Sequence, residues 1–570
     1  MVIIMERLPS HLQKYIVKQD YEKYTALDHA VWRYILRQLK SYLSVHAHAS
    51  YLEGLEKTGI DIEQIPRIEN ISAHLEKFGW RALPVSGFIP PAAFMELQSL
   101  SVLPIASDMR SLDHLLYTPA PDIVHEAAGH APIIADPEYA EYLKQYAQVA
   151  KKAIISKEDL ELYEAIRELS DVKENPASTP EEIKASDEKL VRVSKSISFT
   201  SEASELSRMN WWTAEYGLIG DIKKPKIFGA GLLSSVGESQ WCLSDNVKKI
   251  PLSLACIHQS YDITEPQPQL YVARDFKHLS EVLEELSETM AYKLGGRQGL
   301  DKAVQAESVN TVELNTGLQI SGTLKKYLTD AKGQPAYLQF VGPTQLCFAD
   351  REIEGHANTY HKDGYGTPVG NILNFSLESL QIGQIASLNY ESGVQVSGRL
   401  TQIQKVSETS KAVVLSFENA TAQFKDEILF RPEWGIYDIV LGEDVSSVFG
   451  GPADRVAYGE FDDFVAKRVP PPQYSENQKK LFSFYQKLRD LRADFKKSGS
   501  ISASTLQEQF QTFKAHSANE WLLFVELLEM AIKAGLAEDD FKNHLQSLAA
   551  QNTKHRPLIE EGIKLAYEKF

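Results

Sequence analysis

The sequence predicts a protein in three parts: a mainly α-helical N-terminal domain, a small β-rich domain and a C-terminal α-helical bundle. Three observations predict this order. Apolar residues recur at helical spacing through the first half, alternation of apolar and polar residues begins after about residue 300, and amphipathic helical patterns return after a proline-rich stretch near residue 470. A chain of 570 residues is also too long for one core.

The N-terminal domain is predicted to span residues 1–300. Residues 29–43, HAVWRYILRQLKSYL, place their apolar side chains on one face of a helix. Residues 151–190 differ in composition, because 18 of these 40 residues are charged. We expect this stretch to belong to a solvated insertion at about residues 151–200 of the N-terminal domain.

The β-rich domain is predicted to span residues 301–468. Its segments GLQISGTL and GVQVSGRL, which begin at Gly317 and Gly393, are similar enough to indicate two related strand-turn-strand units. The following VPPPQY is predicted to be a stiff linker, and residues 469–570 are predicted to form the C-terminal helical region. Because the helices there are amphipathic, a homo-oligomer formed through them is one expectation.

The composition excludes several classes of partner. A net charge of −17 argues against nucleic acid and against an anionic membrane surface, since both require a basic protein surface. No stretch approaches the roughly 18 apolar residues of a membrane helix. The cysteines are few and scattered, with no paired spacing, which favours a reducing compartment. We expect a cytoplasmic protein.

The segment PDIVHEAAGH, residues 121–130, places His125 and His130 five positions apart with Glu126 beside the first. This is not the i, i+4 spacing of the zinc motif H-E-x-x-H. Residues five apart on a regular α-helix point about 140° away from each other, so the backbone must deviate before both rings reach one ion. Gly129 tolerates such a deviation. We interpret the pair as a metal site whose third ligand lies on another element.

Glu215, in the segment NWWTAEYGL, is the best candidate for that third ligand. Aromatic and apolar residues surround it, and burying a carboxylate is costly unless it is paired or bound to a metal. Two histidines and one carboxylate form the ligand set of non-haem Fe(II) oxygenases. Zinc with the same ligands and a bound water is the competing chemistry, and the ligand types alone leave both metals open.

The segment PDIVHEAAGH resembles the P-D-x-x-H-E-x-x-G-H segment of the pterin-dependent aromatic amino acid hydroxylases. The segments NWWTAEYGL, FGAGLLSSVGESQWCLS and YDITEPQPQLYVA follow in that family's order. Two upstream segments, YTALDHAVWRYILRQL and YLEGLEKTGIDIEQIP, are similar to the family's short bacterial members. The resemblance covers roughly residues 20–295 and implies a catalytic domain of the aromatic amino acid hydroxylase type, a tetrahydropterin-dependent non-haem iron monooxygenase.

The resemblance also implies a role for individual residues. The residues that match the ligands of Fe(II) are His125, His130 and Glu215. The residues that match the tetrahydropterin site are Gly87, Ile89, Phe94 and Glu126, and the carboxyl of Glu126 also matches a catalytic group near the iron. The residues that match the amino acid site are Arg110, which binds the substrate carboxylate, and Thr118, Pro121, Trp211, Ser234 and Ile263. An arginine suits that task, because its guanidinium offers a bidentate fork to a carboxylate.

Substrate choice depends on the position of Ile263. In this family an acidic residue there accompanies tyrosine hydroxylation, whereas an aliphatic residue fits phenylalanine and tryptophan. The flanking TEPQP resembles the phenylalanine enzymes, so the expected activity is that of a phenylalanine 4-monooxygenase, which converts L-phenylalanine into L-tyrosine with dioxygen. Because one apolar pocket residue separates similar ligands by only about 1–3 kcal/mol, tryptophan or tyrosine hydroxylation is the alternative within the family. A zinc-dependent hydrolase with Glu126 as general base and a non-catalytic binding protein are the alternatives outside it.

Two features depart from the family's pattern. The 84 residues between His130 and Glu215 exceed the family's usual number, and the charged stretch 151–190 accounts for the excess. Asn210 stands where the family usually has a tyrosine, which puts a contact behind the iron ligands in doubt.

The β-rich domain contains a second pair of histidines at the same spacing. His356 and His361 lie in the glycine-containing segment HANTYHKDGYG, and no acidic partners form a metal-binding pattern around them. We therefore interpret these two histidines as loop residues rather than metal ligands.

Overall fold

The computed structural model describes residues 8–85, 89–115, 121–174, 178–263, 265–407, 411–459 and 474–568. Within these ranges, α-helices dominate up to about residue 306, strands follow up to Gly450, and helices return from Glu476. The chain therefore combines a helical N-terminal half, a region of β-sheets and a C-terminal helical region. None of the described helices is long and apolar enough to cross a membrane.

The N-terminal half surrounds a buried core with helices of different lengths. The main helices of this half are Ala26–His46, Ala49–Lys57, Ile68–Leu75, Pro91–Ser99, Pro137–Ala150, Lys157–Glu174, Pro180–Ser196, Glu202–Asn210, Val236–Trp241, Phe276–Ser287 and Gly296–Ala306. The helix Ala26–His46 begins with a capping box, in which the side chains of Thr25 and Asp28 satisfy each other's backbone amides. Most of its residues from Ala26 to Leu39 are buried, so it is a central element rather than a surface one.

Two small sheets complete this half. The strands β1 (Arg81–Val85) and β2 (Val102–Ala106) form a parallel pair. The strands β3 (Leu218–Ile219), β4 (Lys226–Ile227), β5 (Lys248–Pro251) and β6 (Gln269–Ala273) form a second sheet in the order β4-β3-β6-β5. Strand β3 follows the Glu215 segment directly, so the second sheet holds that segment in place.

The charged stretch forms two helices that lie side by side. Lys157–Glu174 packs against Pro180–Ser196, and Thr179 caps the second helix through a capping box with Glu182. In the second helix only Ser186 is buried. The polar residues of this hairpin therefore lie mostly in solvent.

The β region contains two sheets. Its strands are β7 (Val309–Leu314), β8 (Leu318–Thr329), β9 (Pro335–Phe348), β10 (Arg351–Glu352), β11 (Gly364–Pro368), β12 (Ile385–Asn389), β13 (Val394–Lys405), β14 (Val413–Phe424), β15 (Glu427–Phe430), β16 (Tyr437–Val440) and β17 (Val445–Gly450). The first sheet has the order β10-β9-β8-β7-β17 with β11 also paired to β9. The second has the order β12-β13-β14-β15 with β16 also paired to β14.

The two sheets repeat the same unit, as the similar segments at Gly317 and Gly393 predicted. Each glycine adopts a positive φ, +83° and +94° respectively, immediately before a twelve-residue strand. Both long strands carry register shifts at equivalent places, after Ser321 in β8 and after Ser397 in β13. The sequence repeat is therefore confirmed as a structural repeat, in which β7-β8-β9-β11 corresponds to β12-β13-β14-β16.

The C-terminal helices pack on the N-terminal half. They are Glu476–Ser498, Ala503–Ser517, Trp521–Lys533, Asp539–Gln551 and Arg556–Ala566. Their buried residues belong to the same hydrophobic cluster as those of Ala26–His46, and the ring of Trp521 meets that of Tyr34 edge to face at 5.2 Å. The sequence suggests that the apolar faces of these helices bind another subunit, but these faces contact a helix of the same chain. Assembly through the C-terminal helices stays a prediction. Most of the proline stretch, residues 469–473, lies outside the described residues.

Candidate metal centre

His125 and His130 lie on a segment of π-helix rather than α-helix. The π-helical hydrogen-bond pattern spans Val124–His130, and the amide of Ala131 donates to the carbonyl oxygen of Glu126, five residues earlier. Such i→i+5 bonding brings residues five positions apart onto the same side of the helix. The deviation that the histidine spacing requires is therefore present.

Close packing explains the glycine in this segment. A Cβ atom at Gly129 would lie 2.6 Å from the carbonyl oxygen of Ala230, a distance that real side chains do not reach. Gly129 thus allows the π-helix to pack directly against the short helix Ala230–Leu233. This contact fixes the position of the histidine segment.

Glu215 lies at the end of a second π-helical segment. This segment spans Trp211–Glu215, and the amide of Tyr216 donates to the carbonyl oxygen of Trp211 at 2.8 Å. Short π-helical segments occur often at functional sites, because the widened turn redirects side chains. Here the widened turn ends at the carboxylate that the sequence predicted as third ligand.

The three predicted ligands converge on one point. Nε2 of His125 lies 3.3 Å from Oε2 of Glu215, and Nε2 of His130 lies 3.3 Å from Oε1 of the same carboxylate. All three donor atoms lie within 4.8 Å of one another. Burial alone raises the pKa of Glu215, but the two facing imidazoles hold it well below the ordinary range. The carboxylate is therefore ionised and able to bind a cation.

Ser234 determines which nitrogen of His125 faces the carboxylate. The Ser234 hydroxyl donates to the carbonyl oxygen of Ala230 at 2.7 Å, so it accepts a hydrogen bond from Nδ1 of His125 at 3.1 Å. With its proton on Nδ1, the His125 ring has its lone pair on Nε2, the nitrogen able to bind a cation placed between the ring and Glu215. A hydrogen bond of this kind behind a histidine ligand orients the ring for metal binding.

Asn210 also lies behind the ligands. Its side-chain amide donates to Oε1 of Glu215 at 3.4 Å, which is a long contact. The asparagine that stands where the family usually has a tyrosine therefore contacts a predicted metal ligand directly.

Glu126 is a buried carboxyl group beside this centre. Its Oε2 atom has no hydrogen-bond partner among the described residues, and neither has Nδ1 of His130. Burial, together with the nearby Glu215, raises the pKa of Glu126 to about 8 against the opposing effect of His130. An unpaired buried carboxyl is costly, so these atoms indicate a site built to receive another group.

Arg110 and Asp122 form a buried ion pair next to the centre. Nε and Nη2 of Arg110 each donate to the Asp122 carboxylate at 2.7 Å, and the carboxylate also accepts from the amide of His125 at 3.0 Å. The guanidinium and these amides hold the pKa of Asp122 below its ordinary value, although burial alone raises it. The pair links the predicted substrate arginine to the segment that carries the first metal ligand.

Trp211, at the start of the π-helical segment that ends at Glu215, forms an aromatic stack. Its indole stacks on Tyr261 at 4.3 Å and on Tyr216 at 4.4 Å, with interplanar angles of 8° and 22°. The indole Nε1 is buried without a partner among the described residues. Ile263 lies two residues after Tyr261 at a turn and is 38% exposed.

The predicted pterin residues lie on the neighbouring parallel strand pair and its helix. Ile89 is buried, and Phe94 is half-buried on the helix Pro91–Ser99, where both contact the small core of β1 and β2. The three metal ligands are not members of that small core. Pro121 directly precedes Asp122 and is half-buried. Gly87 and Thr118 lie outside the described residues.

Asp122 and Tyr261 are parts of this site that the sequence analysis did not single out. Asp122 belongs to the quoted segment PDIVHEAAGH, and a carboxylate twelve residues after a candidate substrate arginine is a pairing signal. Tyr261 gave no comparable signal, because its stacking partner Trp211 lies fifty residues earlier in the chain.

The residues fit a divalent transition metal. Two imidazole nitrogens and one carboxylate surround a common point, and the first histidine is oriented from behind. This ligand set suits Fe(II) with open coordination positions for other ligands. A hydrolytic zinc site of the H-E-x-x-H type would require a different histidine spacing.

Comparisons with known proteins agree with this site. The family described as biopterin-dependent aromatic amino acid hydroxylase matches residues 14–161 and 185–314, and the unmatched gap falls within the charged hairpin. The phenylalanine-4-hydroxylase of Mesorhizobium japonicum is 27% identical over 274 residues, which are 47% of this chain and 83% of that protein. The enzyme of the same name from Pseudomonas aeruginosa is 28% identical over 264 residues, 46% of this chain and 84% of that protein. A crystal structure of phenylalanine hydroxylase from Chromobacterium violaceum aligns with 25% identity and a TM-score of 0.37, covering 49% of this chain and 88% of that one.

Proposed function

Because residues 14–161 and 185–314 of this chain match the family of biopterin-dependent aromatic amino acid hydroxylases, we propose that the chain is a phenylalanine 4-monooxygenase. It hydroxylates L-phenylalanine to L-tyrosine with dioxygen and a tetrahydropterin at an Fe(II) centre. The names of its bacterial relatives support this substrate. The three free, buried cysteines fit a reducing compartment, so we place the enzyme in the cytoplasm.

The single observation that carries the proposal is the convergence of His125, His130 and Glu215. These residues come from two π-helical segments, and 84 residues separate His130 from Glu215, yet their donor atoms lie within 4.8 Å of one another. A family resemblance without this geometry would leave a binding protein as an equal alternative. With all three ligands in place, the chain keeps the means to bind iron.

The bound Fe(II) and the reduced pterin supply the electrons with which dioxygen is activated for attack on an aromatic ring. The chain holds the metal with His125, His130 and Glu215. Ser234 keeps His125 in the tautomer that binds through Nε2. The remaining side chains bind and orient the organic molecules and limit access of water.

Arg110 is proposed to bind the carboxylate of the amino acid substrate. Asp122 accepts from Nε and from one N–H of Nη2, so Nη1 and the second N–H of Nη2 form another edge of the guanidinium. Among the described residues, Nη1 makes only a weak contact of 3.4 Å, to the carbonyl oxygen of Ser234. Asp122 therefore fixes the guanidinium plane and leaves one bidentate edge for a carboxylate.

Glu126, Phe94, Ile89 and Gly87 are proposed to bind the pterin. The ring of Phe94 offers a stacking surface, and the carboxyl of Glu126 offers hydrogen bonds to the pterin or to a water at the metal. Because burial raises the pKa of Glu126 to about 8, this carboxyl is protonated at neutral pH until a bound group changes its surroundings.

Trp211, Pro121, Thr118 and Ile263 are proposed to surround the substrate ring. Trp211 is fixed by its stack on Tyr261, so its edge is a rigid wall. An aliphatic residue at position 263 favours phenylalanine over tyrosine, whose hydroxyl would need a polar partner.

The assay that tests this proposal uses the full chain loaded with Fe(II), tetrahydrobiopterin and oxygen. Phenylalanine, tryptophan and tyrosine are offered separately, and the products are identified by chromatography and mass spectrometry. We expect tyrosine from phenylalanine, with a kcat/KM about 10-fold or more above that for tryptophan. Faster hydroxylation of tryptophan would reassign the substrate, and an absence of product from iron-loaded protein would refute the proposed activity.

A substitution at Arg110 tests how the substrate is bound. In Arg110→Lys one charge is kept, but the bidentate edge and the paired contact with Asp122 are lost. Hydrogen bonds to charged groups contribute about 1.5–3 kcal/mol, so KM for phenylalanine should rise about 10- to 100-fold. Phenethylamine, which lacks the carboxylate, serves as control: its kcat/KM should change little. An equal loss for both substrates would mean that Arg110 acts only through the fold.

A further inference from the structure

A second group of metal-binding side chains lies in the β region, far along the chain from the first centre. His356, His361 and Asp438 present donor atoms that all lie within 4.8 Å of one another. From the sequence alone the two histidines are interpreted as loop residues, because no acidic pattern surrounds them. The fold brings Asp438 to them from a strand more than seventy residues later.

The backbone fixes both histidines. They lie on the connection between β10 and β11, which runs beside β9. The carbonyl oxygen of His356 accepts from the amide of Leu346 at 3.0 Å, and that of His361 accepts from the amide of Thr344 at 3.1 Å. This connection is therefore attached to β9 at the two residues that carry the imidazoles, and a site on such an anchored segment is positioned with little freedom.

Asp438 is a buried carboxylate that lacks a basic partner. All four residues of β16 are buried, and Asp438 is only 4% exposed. Its Oδ1 accepts from the hydroxyl of Ser416 at 2.6 Å. Within the described part of the chain, no lysine or arginine forms an ion pair with it. The hydroxyl of Tyr360 also hydrogen-bonds to this carboxylate, but both hydroxyl partners are neutral, so the buried carboxylate still lacks a compensating positive charge.

A hydrogen bond orients the His356 ring from behind. Its Nε2 lies 3.2 Å from Oε1 of Gln404, whose amide nitrogen donates to the carbonyl oxygen of Glu354 at 3.1 Å. The Gln404 oxygen thus faces the ring and accepts its N–H, which leaves a lone pair on Nδ1 of His356. Ligand histidines usually donate their second N–H to an oxygen in this way. The Ser416 hydroxyl orients the Asp438 carboxylate by donating a hydrogen bond to its Oδ1 atom.

The nitrogens of the His356 and His361 rings are already about as far apart as two ligands of one metal ion. Nδ1 of His356 lies 3.2 Å from Nε2 of His361, and the rings are nearly parallel, at 13°. Without an ion, this is an N–H···N hydrogen bond in which His361 is the donor. Two nitrogens bound to one tetrahedral Zn²⁺ at about 2.0–2.1 Å lie about 3.3 Å apart, so the nitrogens already have the required separation. Binding needs only a move of the His361 proton to Nδ1 and a rotation of the rings.

We propose that His356, His361 and Asp438 bind one Zn²⁺ ion that joins the two sheets of the β region. The histidines are attached to β9 of the first sheet, whereas Asp438 and Gln404 belong to β16 and β13 of the second. The ion supplies the positive charge that the buried carboxylate lacks. Three protein ligands leave one coordination position for water. The role of the ion is to hold the two repeated units together, and it is independent of the iron centre.

Metal analysis tests this site in the full chain with the first centre removed. The parent for this test is His125→Ala/Glu215→Ala, so that zinc cannot bind there. After treatment with chelator, Zn²⁺ alone is added, excess is removed by gel filtration, and bound metal is measured by mass spectrometry. We expect about one zinc per chain in this parent and less than about one tenth in the same protein with His361→Ala. Zinc should also raise the Tm of the parent and leave that of the His361→Ala protein unchanged.

Two further variants make the result decisive. Asp438→Asn keeps the size of the side chain and an oxygen for Ser416, so it should fold and should bind zinc at least about 10-fold more weakly. His516→Ala removes an exposed histidine of the C-terminal region and should leave zinc binding unchanged. No zinc in the parent, or equal zinc in the parent, His361→Ala and Asp438→Asn proteins, would refute the site. Circular dichroism of each variant separates loss of a ligand from loss of the fold.

Discussion

Replacing Glu215 by alanine should remove iron binding and phenylalanine hydroxylation together. Each oxygen of this carboxylate lies 3.3 Å from Nε2 of one of the two histidines, so the carboxylate borders the proposed metal position together with both rings. Substitution of a residue behind a metal ligand typically weakens binding 10- to 100-fold, and a direct ligand should have at least the larger effect. We expect iron content below about one tenth per chain and hydroxylation reduced at least about 100-fold.

The iron-free fold should survive this substitution. Glu215 is an ionised, half-buried carboxylate, and its removal takes away a partly desolvated charge together with its partners' contacts. Thermal unfolding of the iron-free proteins should therefore differ by only a few degrees. The measurements are iron content by mass spectrometry, product formation, and Tm before and after Fe(II) is added.

A second variant distinguishes a metal ligand from a residue that only orients a ligand. Ser234→Ala removes the hydroxyl that accepts from Nδ1 of His125 and so removes the preference for the tautomer that binds through Nε2. Its iron affinity should fall about 10- to 100-fold and be restored by excess Fe(II), whereas Glu215→Ala should not be rescued. Full activity in Glu215→Ala would show that the metal binds elsewhere.

The sequence predicted best those features that depend on the spacing of residues close together in the chain. The five-residue spacing of His125 and His130 requires a helix that is not α, and the structure provides a π-helix there. The repeated segments at Gly317 and Gly393 were equally readable, because a glycine turn followed by an alternating strand is a local signal. Both inferences depend on residues close together in the chain, where spacing alone restricts the geometry.

Contacts between distant segments were not predictable from such patterns. Asp438 gives no sign in its own strand that it meets His356 and His361, because strand pairing brings them together. The hydrophobic pattern of Trp521–Lys533 predicted a buried helix face but did not identify the surface that covers it. Amphipathicity shows that a face is buried and leaves open whether this chain or another one buries it.

Replacing Glu529 by glutamine should release the C-terminal helices from the N-terminal half. Glu529 is fully buried and forms ion pairs with Arg33, with Arg37 at 2.6 Å and with Arg492 at 3.2 Å. Burial alone raises the pKa of this carboxyl, but Arg492 and Arg33 hold it well below its ordinary range. Glutamine keeps the size of the side chain and leaves the guanidinium groups without their shared counter-charge.

Breaking one partner of a buried ion pair costs about 3–5 kcal/mol, because the remaining charges are left uncompensated in the interior. Glu526 compensates part of this loss, since it also accepts from Arg33 at 2.9 Å and from Arg492 at 2.8 Å. We therefore expect Glu529→Gln to lower the free energy of unfolding by about 3 kcal/mol, the lower end of that range. The helix Trp521–Lys533 and its partner Ala26–His46 should lose hydrogen-exchange protection together, while the β region keeps its protection.

Hydrogen exchange followed by mass spectrometry is the suitable measurement, because a chain with several packed regions does not unfold in one step. Glu560→Gln is the matched control: it removes a carboxylate from an exposed pair with Arg556, which contributes about 0.5 kcal/mol or less. Equal exchange in the two variants would mean that the apolar contacts alone hold the C-terminal helices. A selective increase in Glu529→Gln would show that the buried charges hold them on the catalytic half, through the helix on which Arg33 and Arg37 lie.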